Sequence, residues 1–407
     1  MKSKGVTRGL NVVGLFAGVG GLELGLSRAG HRTKLLCEIE PGAKAVLRKR
    51  FPRVPIHDDI TTLTDLPRGT DLVTAGFPCQ DLSQAGQTRG MSGQQSSLVE
   101  HVFRLLRMHD VPWVLLENVS FMLQLNRGAA MRFIADQLED LGYRWAYRVV
   151  DTRAFGLPQR RERVFLLASK VSDPATILFD GNETPHEQLA RRRTACGFYW
   201  TEGLRGLGWA VDAVPTLKGG STIGIPSPPA IWTRERSFVT PDLRDAERLQ
   251  GFEPDWTKPA EEVCKPGHRW KLIGNAVSVP VAEWLGGRFV ARPGVRPVLA
   301  ATYDQCASWP RAAMSADEGR LAVRISSWPV KRAVIPIAEF LRYPTKPLST
   351  RALSGFYSRL SKSSLNRPPA FDEDIRRTLE LPAELRLEPK RARARRVVRT
   401  TSALLGN

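Results

Sequence analysis

Asn11-Val12-Val13-Gly14-Leu15-Phe16-Ala17-Gly18-Val19-Gly20-Gly21 opens the first regular element of the chain, and its reading decides the fold. A short apolar run feeds straight into Gly18, Gly20 and Gly21. That is a strand turning into a helix, with a backbone that a ligand can approach closely because no Cβ stands in the way. Outward from there, short apolar runs alternate with amphipathic stretches of about ten to fifteen residues, the signature of βαβ units and a parallel sheet. Strands are expected near Val12 to Phe16, Lys34 to Glu38, Leu72 to Ala75, Val114 to Leu116, Ala146 to Val150 and Val164 to Leu167, with a helix over Gly42 to Phe51. Two helices should end at Gly30 and Gly142. The last two strands are joined only by Asp151 to Arg163, too short for a helical crossover, so they should pair antiparallel.

At 407 residues and 42% hydrophobic, the chain can bury a large core and should split into two or three units, which excludes wholesale disorder. Its 60 Lys+Arg against 41 Asp+Glu give a net charge of +19, which points to a polyanionic partner. Residues 291–407 hold 22 of the basic and 10 of the acidic residues, so most of the excess lies there. The run Lys390, Arg391, Arg393, Arg395, Arg396, Arg399 should keep the tail from about 388 extended and disordered by like-charge repulsion. From about Ser172 to Pro259 periodicity fails amid Gly, Pro and Arg, and it returns at Trp270 to Val290. No apolar stretch nears the roughly 18 residues needed to span a bilayer, and Met1 to Leu10 lacks a signal-peptide core, so a soluble, intracellular protein is expected. Cysteines at 37, 79, 196, 264 and 306 are never closer than 42 residues. No C-x-x-C pair is available for zinc, and neither a metal nor a disulfide is expected.

Three constellations carry chemistry. Glu38 lies 20 residues past Gly18 at the end of the second strand, where a carboxylate can accept hydrogen bonds from both hydroxyls of a ribose. Glu23 replaces the third glycine of G-x-G-x-x-G, which disfavours a pyrophosphate and suits a phosphate-free nucleoside such as S-adenosylmethionine. Asp59 is open to two readings, a partner for the adenine amino group or a solvated loop acid. Phe77-Pro78-Cys79-Gln80 follows the strand Leu72 to Ala75, and Glu117-Asn118-Val119 follows Val114 to Leu116, so a thiol and a carboxylate converge on the carboxyl edge of the sheet as nucleophile and acid. In Gln159-Arg160-Arg161-Glu162-Arg163 alternate side chains share a face, so Gln159, Arg161 and Arg163 can point together to the cleft, or the arginines can form a salt-bridged surface loop.

Taken in order, these segments resemble the DNA (cytosine-5) methyltransferases of the bacterial restriction-modification type over roughly residues 11 to 290. Phe16 to Gly25, Glu38 and Asp59 resemble the first three cofactor motifs. Pro78-Cys79-Gln80 with Ser83, Ala85 and Gly86 is similar to the catalytic loop, and Glu117-Asn118-Val119 to the motif of the catalytic glutamate. Gln159, Arg161 and Arg163 match Q-x-R-x-R. Arg244, Glu247, Leu249, Gln250, Gly251 and Phe252 resemble the segment supporting the recognition region, with Glu253 departing from the usual Pro. Gly274-Asn275-Ala276-Val277 with Val279-Pro280 resembles the last motif, which folds back onto the cofactor.

The resemblance implies an α/β, Rossmann-like S-adenosylmethionine-dependent domain from 1–171 and 268–290 and a small irregular target-recognition domain at 172–267; residues 291–407 lie outside it as a basic C-terminal extension, in which Trp309, Trp328, Phe340, Tyr343, Phe356 and Tyr357 suggest that part folds. It implies catalytic roles for Cys79, Glu117, Arg161 and Arg163. Cofactor contacts would come from Phe16, Gly18, Gly20, Gly21, Glu38, Ile39, Asp59, Pro78, Asn275 and Val277, and substrate contacts from Gln80, Ser83, Asn118 and Gln159. The implied partner is double-stranded DNA with a flipped cytosine, read by a region that includes Arg191 to Arg193 and Lys218 to Thr222. The implied setting is a monomer in the bacterial cytoplasm, solitary or accompanied by a restriction endonuclease. A related branch that methylates transfer RNA is the rival, and the Pro-Cys-Gln form of the Cys79 loop favours DNA.

Overall fold

The structure, a computed structural model, describes residues 9–78, 98–185, 194–219, 226–291, 299–302 and 308–381. Its centre is a ten-stranded mixed sheet. Five strands of the first half are β1 (Asn11–Leu15), β2 (Arg32–Cys37), β3 (Ile56–His57), β4 (Leu72–Ala75) and β5 (Trp113–Val119), and they pair in parallel in the order β3-β2-β1-β4-β5. β1, β4 and β5 are apolar and buried on both faces, as a sheet covered by helices on both sides demands. β6 (Arg144–Asp151) and β8 (Glu162–Ser169) pair antiparallel, as the short connection predicts, with β7 (Gln159–Arg160) between them in sequence. β8 lies against β5, also antiparallel.

The chain leaves β1 towards β2 and later returns to β4 on its other side. The order of the sheet therefore reverses between β1 and β4, and a crevice opens outside their carboxyl ends. On one face lie helices α1 (Gly21–Arg28) and, further on, the long helix Val279–Ala291; on the other lie α3 (Leu98–Met108) and α4 (Ala129–Asp140). Between β2 and β3 runs α2 (Pro41–Arg50), started by Pro41 and capped by the Glu40 carboxylate on the Ala43 N–H at 2.5 Å. Gly30 and Gly142 sit just past helix ends with φ of 93° and 78°, where only glycine is unstrained. No described helix is long and apolar enough to cross a membrane.

The irregular region resolves into short strands: β9 (Cys196–Phe198), β10 (Ala210–Val211), β11 (Val214–Pro215), β12 (Ala230–Trp232) and β13 (Phe238–Thr240). Two- and three-residue strands leave no periodic trace in a sequence. Helices α5 (Leu243–Leu249), α6 (Arg269–Asn275) and α7 (Val279–Ala291) then lead back to the main sheet.

The segment after 291 is not a structural appendage, and here the charge-based boundary and the packing part company. β14 (Leu299–Thr302), β15 (Ala312–Ala316) and β16 (Gly319–Arg324) extend the main sheet beyond β6, and Trp309 joins its core with its indole N–H on the Gly128 carbonyl at 3.0 Å. β17 (Lys346–Pro347) pairs with β13. Helices α8 (Thr350–Leu360) and α9 (Pro369–Thr378) cover the second sheet, with Phe356 and Phe371 packed on Phe198, Trp232 and Phe238. Neither of the two cores is complete without residues drawn from this basic segment. The Arg-rich run from 390 lies outside the described residues.

Candidate active site

Where β1 ends, Phe16 adopts φ 54° and Gly18 φ 54°, a left-handed step that bulky residues rarely take and that marks a ligand turn. The three glycines divide the work. A Cβ at Gly20 would stand 2.4 Å from the Phe51 ring, and one at Gly21 would stand 2.4 Å from the Val277 carbonyl oxygen, so both are glycine to let helices close. Nothing lies within 4 Å of a Cβ at Gly18, so this residue faces open space at the sheet edge. Gly20 and Gly21 thus owe their lack of a side chain to packing, and any ligand contact there runs through their main chain. The loop is pinned from behind by the Trp256 indole N–H on the Val19 carbonyl at 2.9 Å. Val277, 8% exposed, backs the turn from within the core, while Asn275 is exposed where α6 ends.

Glu38 is buried, and each of its carboxylate oxygens accepts one main-chain bond, from Gly18 at 2.7 Å and from Glu40 at 2.8 Å. A carboxylate has about four lone-pair sites, so two remain for a vicinal diol. Burial raises its pKa, opposed by main-chain N–H groups, chiefly those of Glu40 and Gly18. Beside it Ile39 is 66% exposed, an apolar surface next to a diol acceptor. Open space over Gly18, the Glu38 oxygens and the Ile39 face together fit a nucleoside. Asp59 accepts from the Thr61 N–H at 2.8 Å, which lowers its pKa, and so holds its own turn while staying partly exposed.

Glu23 points away from this edge. Its carboxyl is buried under the sheet, 1% exposed, beneath Gly14, whose Cβ would stand 2.2 Å from Glu23 Oε1; the Thr74 hydroxyl donates to the same oxygen at 3.3 Å. Burial pushes its pKa up to about 7.

At the end of β4 the chain continues through Gly76, Phe77 and Pro78. A Cβ at Gly76 would lie 3.5 Å from Glu117 Oε2, so the strand that leads into Cys79 passes over the carboxyl at the end of β5. Glu117 pairs with Arg163 at 3.2 Å across the β5–β8 ladder. Burial raises its pKa, opposed by Arg163 and then Arg161. Arg161, 1% exposed, donates to the carbonyls of Gly274 at 3.2 Å and Ala276 at 2.7 Å, so it binds the turn that carries Asn275. Burial, then the neighbouring Arg163, lowers its pKa. Two guanidinium groups against one carboxyl leave this corner electropositive. Cys79, Gln80 and Ser83 lie outside the described residues, as do Arg191 to Arg193 and Gly220 to Thr222.

Two residues expected to contact substrate are engaged with main chain. Gln159 is fully buried: its amide donates to the Leu249 carbonyl at 2.8 Å and accepts from the Leu217 N–H at 3.1 Å. Asn118 donates to the Phe77 carbonyl at 2.9 Å and accepts from the Val119 N–H at 2.8 Å. With both ends of each amide spent on main chain, these side chains hold neighbouring segments in register. Of the Q-x-R-x-R run, Arg161 and Arg163 approach Glu117, while Gln159 points to α5.

Several residues that the sequence singled out only as part of a segment acquire partners here that it did not indicate. Gln250 donates to the Ile273 carbonyl at 2.9 Å and accepts from the Ser278 hydroxyl at 2.8 Å, and Ser278 reaches Thr152 at 3.1 Å. Glu247, fully buried, accepts from Asp255, Thr257 and Arg269. Lys218 stands 3.8 Å over the Tyr199 ring and pairs with Glu202 at 2.7 Å, beside the arginine corner.

The profile of the C-5 cytosine-specific DNA methylases matches residues 10–207. The chain is 46% identical over 382 residues to the Type II methyltransferase M2.BsuMI of Bacillus subtilis strain 168, covering 90% of this chain and 98% of that protein. It is 36% identical over 313 residues to the Type II methyltransferase M.BsuFI of Bacillus subtilis, covering 70% and 73%. Among solved structures it overlaps the Dnmt2 methyltransferase of S. pombe at 18% identity and a TM-score of 0.48, over 70% of this chain and 99% of that one. Aligned with a Type II methyltransferase along nine-tenths of its length, the chain belongs to the C-5 cytosine-specific DNA methyltransferases of restriction-modification type, enzymes that draw their methyl group from S-adenosylmethionine.

Proposed function

We propose that this enzyme methylates one cytosine of a short duplex sequence through a covalent adduct with Cys79. The observation that carries the proposal is the strand end leading to Cys79 passing over a buried, Arg-paired Glu117. Carbon 5 of cytosine is too weak a nucleophile until carbon 6 is saturated. The Cys79 thiolate forms a bond to carbon 6 while Glu117 passes a proton to ring nitrogen 3, and the electron pair of the 5,6 double bond becomes available at carbon 5. Burial favours the protonated form of this carboxyl, which suits it to deliver that proton. A thiol of reference pKa about 8.5 needs a positive neighbourhood to ionise, and Arg161 and Arg163 supply one. S-adenosylmethionine, when bound by Glu38, Ile39 and the Gly18 turn, supplies an electrophilic methyl group for carbon 5. Solvent base then takes the carbon 5 proton, the carbon 6–sulfur bond breaks, and the nitrogen 3 proton returns to Glu117.

None of these ring atoms can be reached in a stacked duplex, so the target base is flipped out. The sheet β9–β10–β12–β13 with its helical cover α8 and α9 is the unit we assign to reading sequence, acting on a bacterial cytoplasmic target as a monomer alongside a companion endonuclease. The test is transfer of labelled methyl from S-adenosylmethionine to unmethylated duplex DNA and, in parallel, to a transfer RNA pool. Label at one short DNA sequence, abolished by Cys79→Ser with DNA binding retained, is expected. Label on RNA alone overturns the substrate, and label with the Cys79→Ser protein overturns the adduct.

A further inference from the structure

We propose that Glu40, Cys264 and His268 form a binding site for a borderline-soft divalent cation of the zinc class, separate from the methylation chemistry. Sequence spacing gave no sign of it, because the trio unites the cap of α2 with a turn more than 220 residues later. One ligand atom from each side chain, an oxygen of Glu40, the Cys264 sulfur and a ring nitrogen of His268, can be chosen so that all lie within 4.8 Å of one another. His268 Nε2 and Glu40 Oε1 are already in contact at 2.9 Å.

The surroundings are built for this approach. A Cβ at position 42 would stand 3.0 Å from the Cys264 sulfur and 3.2 Å from Glu40 Oε2, so glycine there keeps the space between thiol and carboxylate clear. Burial and the Glu40 carboxylate raise the Cys264 thiol pKa, opposed in part by a hydrogen bond from the Gly42 N–H to the sulfur. Glu40 divides its oxygens: Oε2 caps α2 through the Ala43 N–H, and Oε1 faces His268, so coordination through Oε1 leaves the cap intact. Cys264 and His268 are fixed relative to each other by a turn in which the His268 N–H bonds the Lys265 carbonyl at 2.9 Å. A tetrahedral zinc with metal–ligand distances of about 2.0–2.3 Å holds oxygen and nitrogen ligands about 3.3 Å apart, a few tenths of an ångström from the Glu40–His268 separation, and the Cys264 side chain, within 4.8 Å of both, closes the rest. Thiolate and imidazole select zinc-like ions over magnesium or calcium, and three protein ligands leave a fourth position for water. On binding, Cys264 releases its proton to solvent.

The consequence reaches the cofactor edge, since the main-chain N–H of Glu40 is one of the two that orient Glu38. An ion here would lock the turn before α6 to the cap of α2 and stiffen Glu38.

The test uses the full-length protein stripped with a chelator and titrated with Co2+, followed by Zn2+ competition. One equivalent per chain is expected, with a near-ultraviolet thiolate-to-cobalt charge-transfer band that zinc removes and a higher melting temperature in zinc. Cys264→Ser should abolish the band, and His268→Gln should weaken binding by about 10–100-fold or more, since a lost ligand costs at least as much as a lost outer partner. Cys79→Ser should leave the band in place. Circular dichroism establishes that each variant is folded. Absence of saturable binding to folded protein, or a band that survives in Cys264→Ser, overturns the site.

Discussion

Replacing Glu23 by Gln probes the buried carboxyl beneath the glycine turn. In the folded protein its pKa is about 7, raised from 4.5 first of all by burial and lowered only in part by its hydrogen bonds. A raised pKa means that the folded state holds its proton longer than the unfolded chain does. The stability this group lends is full below about pH 4.5, declines as the unfolded chain ionises, and is gone above about 7. At 1.36 kcal/mol per pKa unit, the loss between pH 5 and pH 8 is roughly 2–3 kcal/mol. Glu23→Gln keeps the shape and removes the proton equilibrium. The assay is thermal unfolding of both proteins at pH 5 and pH 8, read as the difference between the two differences, which cancels any steric effect of the amide. The variant should gain several degrees on the wild type at pH 8 relative to pH 5. Parallel pH curves would mean that the carboxyl is ionised throughout and that burial does not set its state.

Glu117→Gln should lower kcat by about 10²- to 10⁴-fold with DNA affinity kept, the usual worth of a positioned acid. Arg163→Gln removes a group that lowers the Glu117 pKa, so the alkaline limb of its kcat–pH profile should move to higher pH, whatever the rate at the optimum; a shift to lower pH rejects Glu117 as the acid. Gly25→Ala would set a methyl 2.6 Å from the Val279 carbonyl oxygen and 2.5 Å from the Ala282 methyl, prising α1 from α7. A loss of about 1–3 kcal/mol or more in calorimetry is expected, with weaker cofactor binding by titration. Asp374, buried on α9, accepts from Trp232 at 2.9 Å and pairs with Arg236 and Arg377. Asp374→Ala should cost about 3–5 kcal/mol and lower the melting temperature, and an unchanged melt would detach the C-terminal helices from the recognition sheet.

What the sequence disclosed follows from how each signal arises. β1, β4 and β8 were legible because continuous apolar runs are imposed by burial on both faces, and Glu38 because its distance from Gly18 is set by one βαβ step. Alternation placed Gln159, Arg161 and Arg163 on one face, but it gives a face and not what that face packs against: Arg163 meets Glu117 while Gln159 meets Leu249 and Leu217. The main-chain bonds of Asn118 were not legible for a related reason: a polar residue beside a candidate catalytic glutamate can face a ligand or fasten main chain, and spacing does not tell which. The partners of Glu247 and Gln250 escaped because single bonds between segments 8 to 28 residues apart leave no periodic trace, and although the aromatics after 291 signalled a folded part, nothing in them told that its strands join the main sheet.

The place of β15 beside β6 has a consequence for biosynthesis. Arg144–Asp151 gains β8 on one side almost at once, but its neighbour on the other side is not translated until Ala312–Ala316. At about 5–20 residues per second, the ribosome takes on the order of 10–30 s to supply it. Throughout that interval β6, with Trp145 and Tyr147, is an open edge able to pair with another nascent chain. Yield of this enzyme should therefore depend on elongation rate and chaperone supply in the stretch between the two strands, and synonymous codons there become a lever on how much active methyltransferase a cell contains.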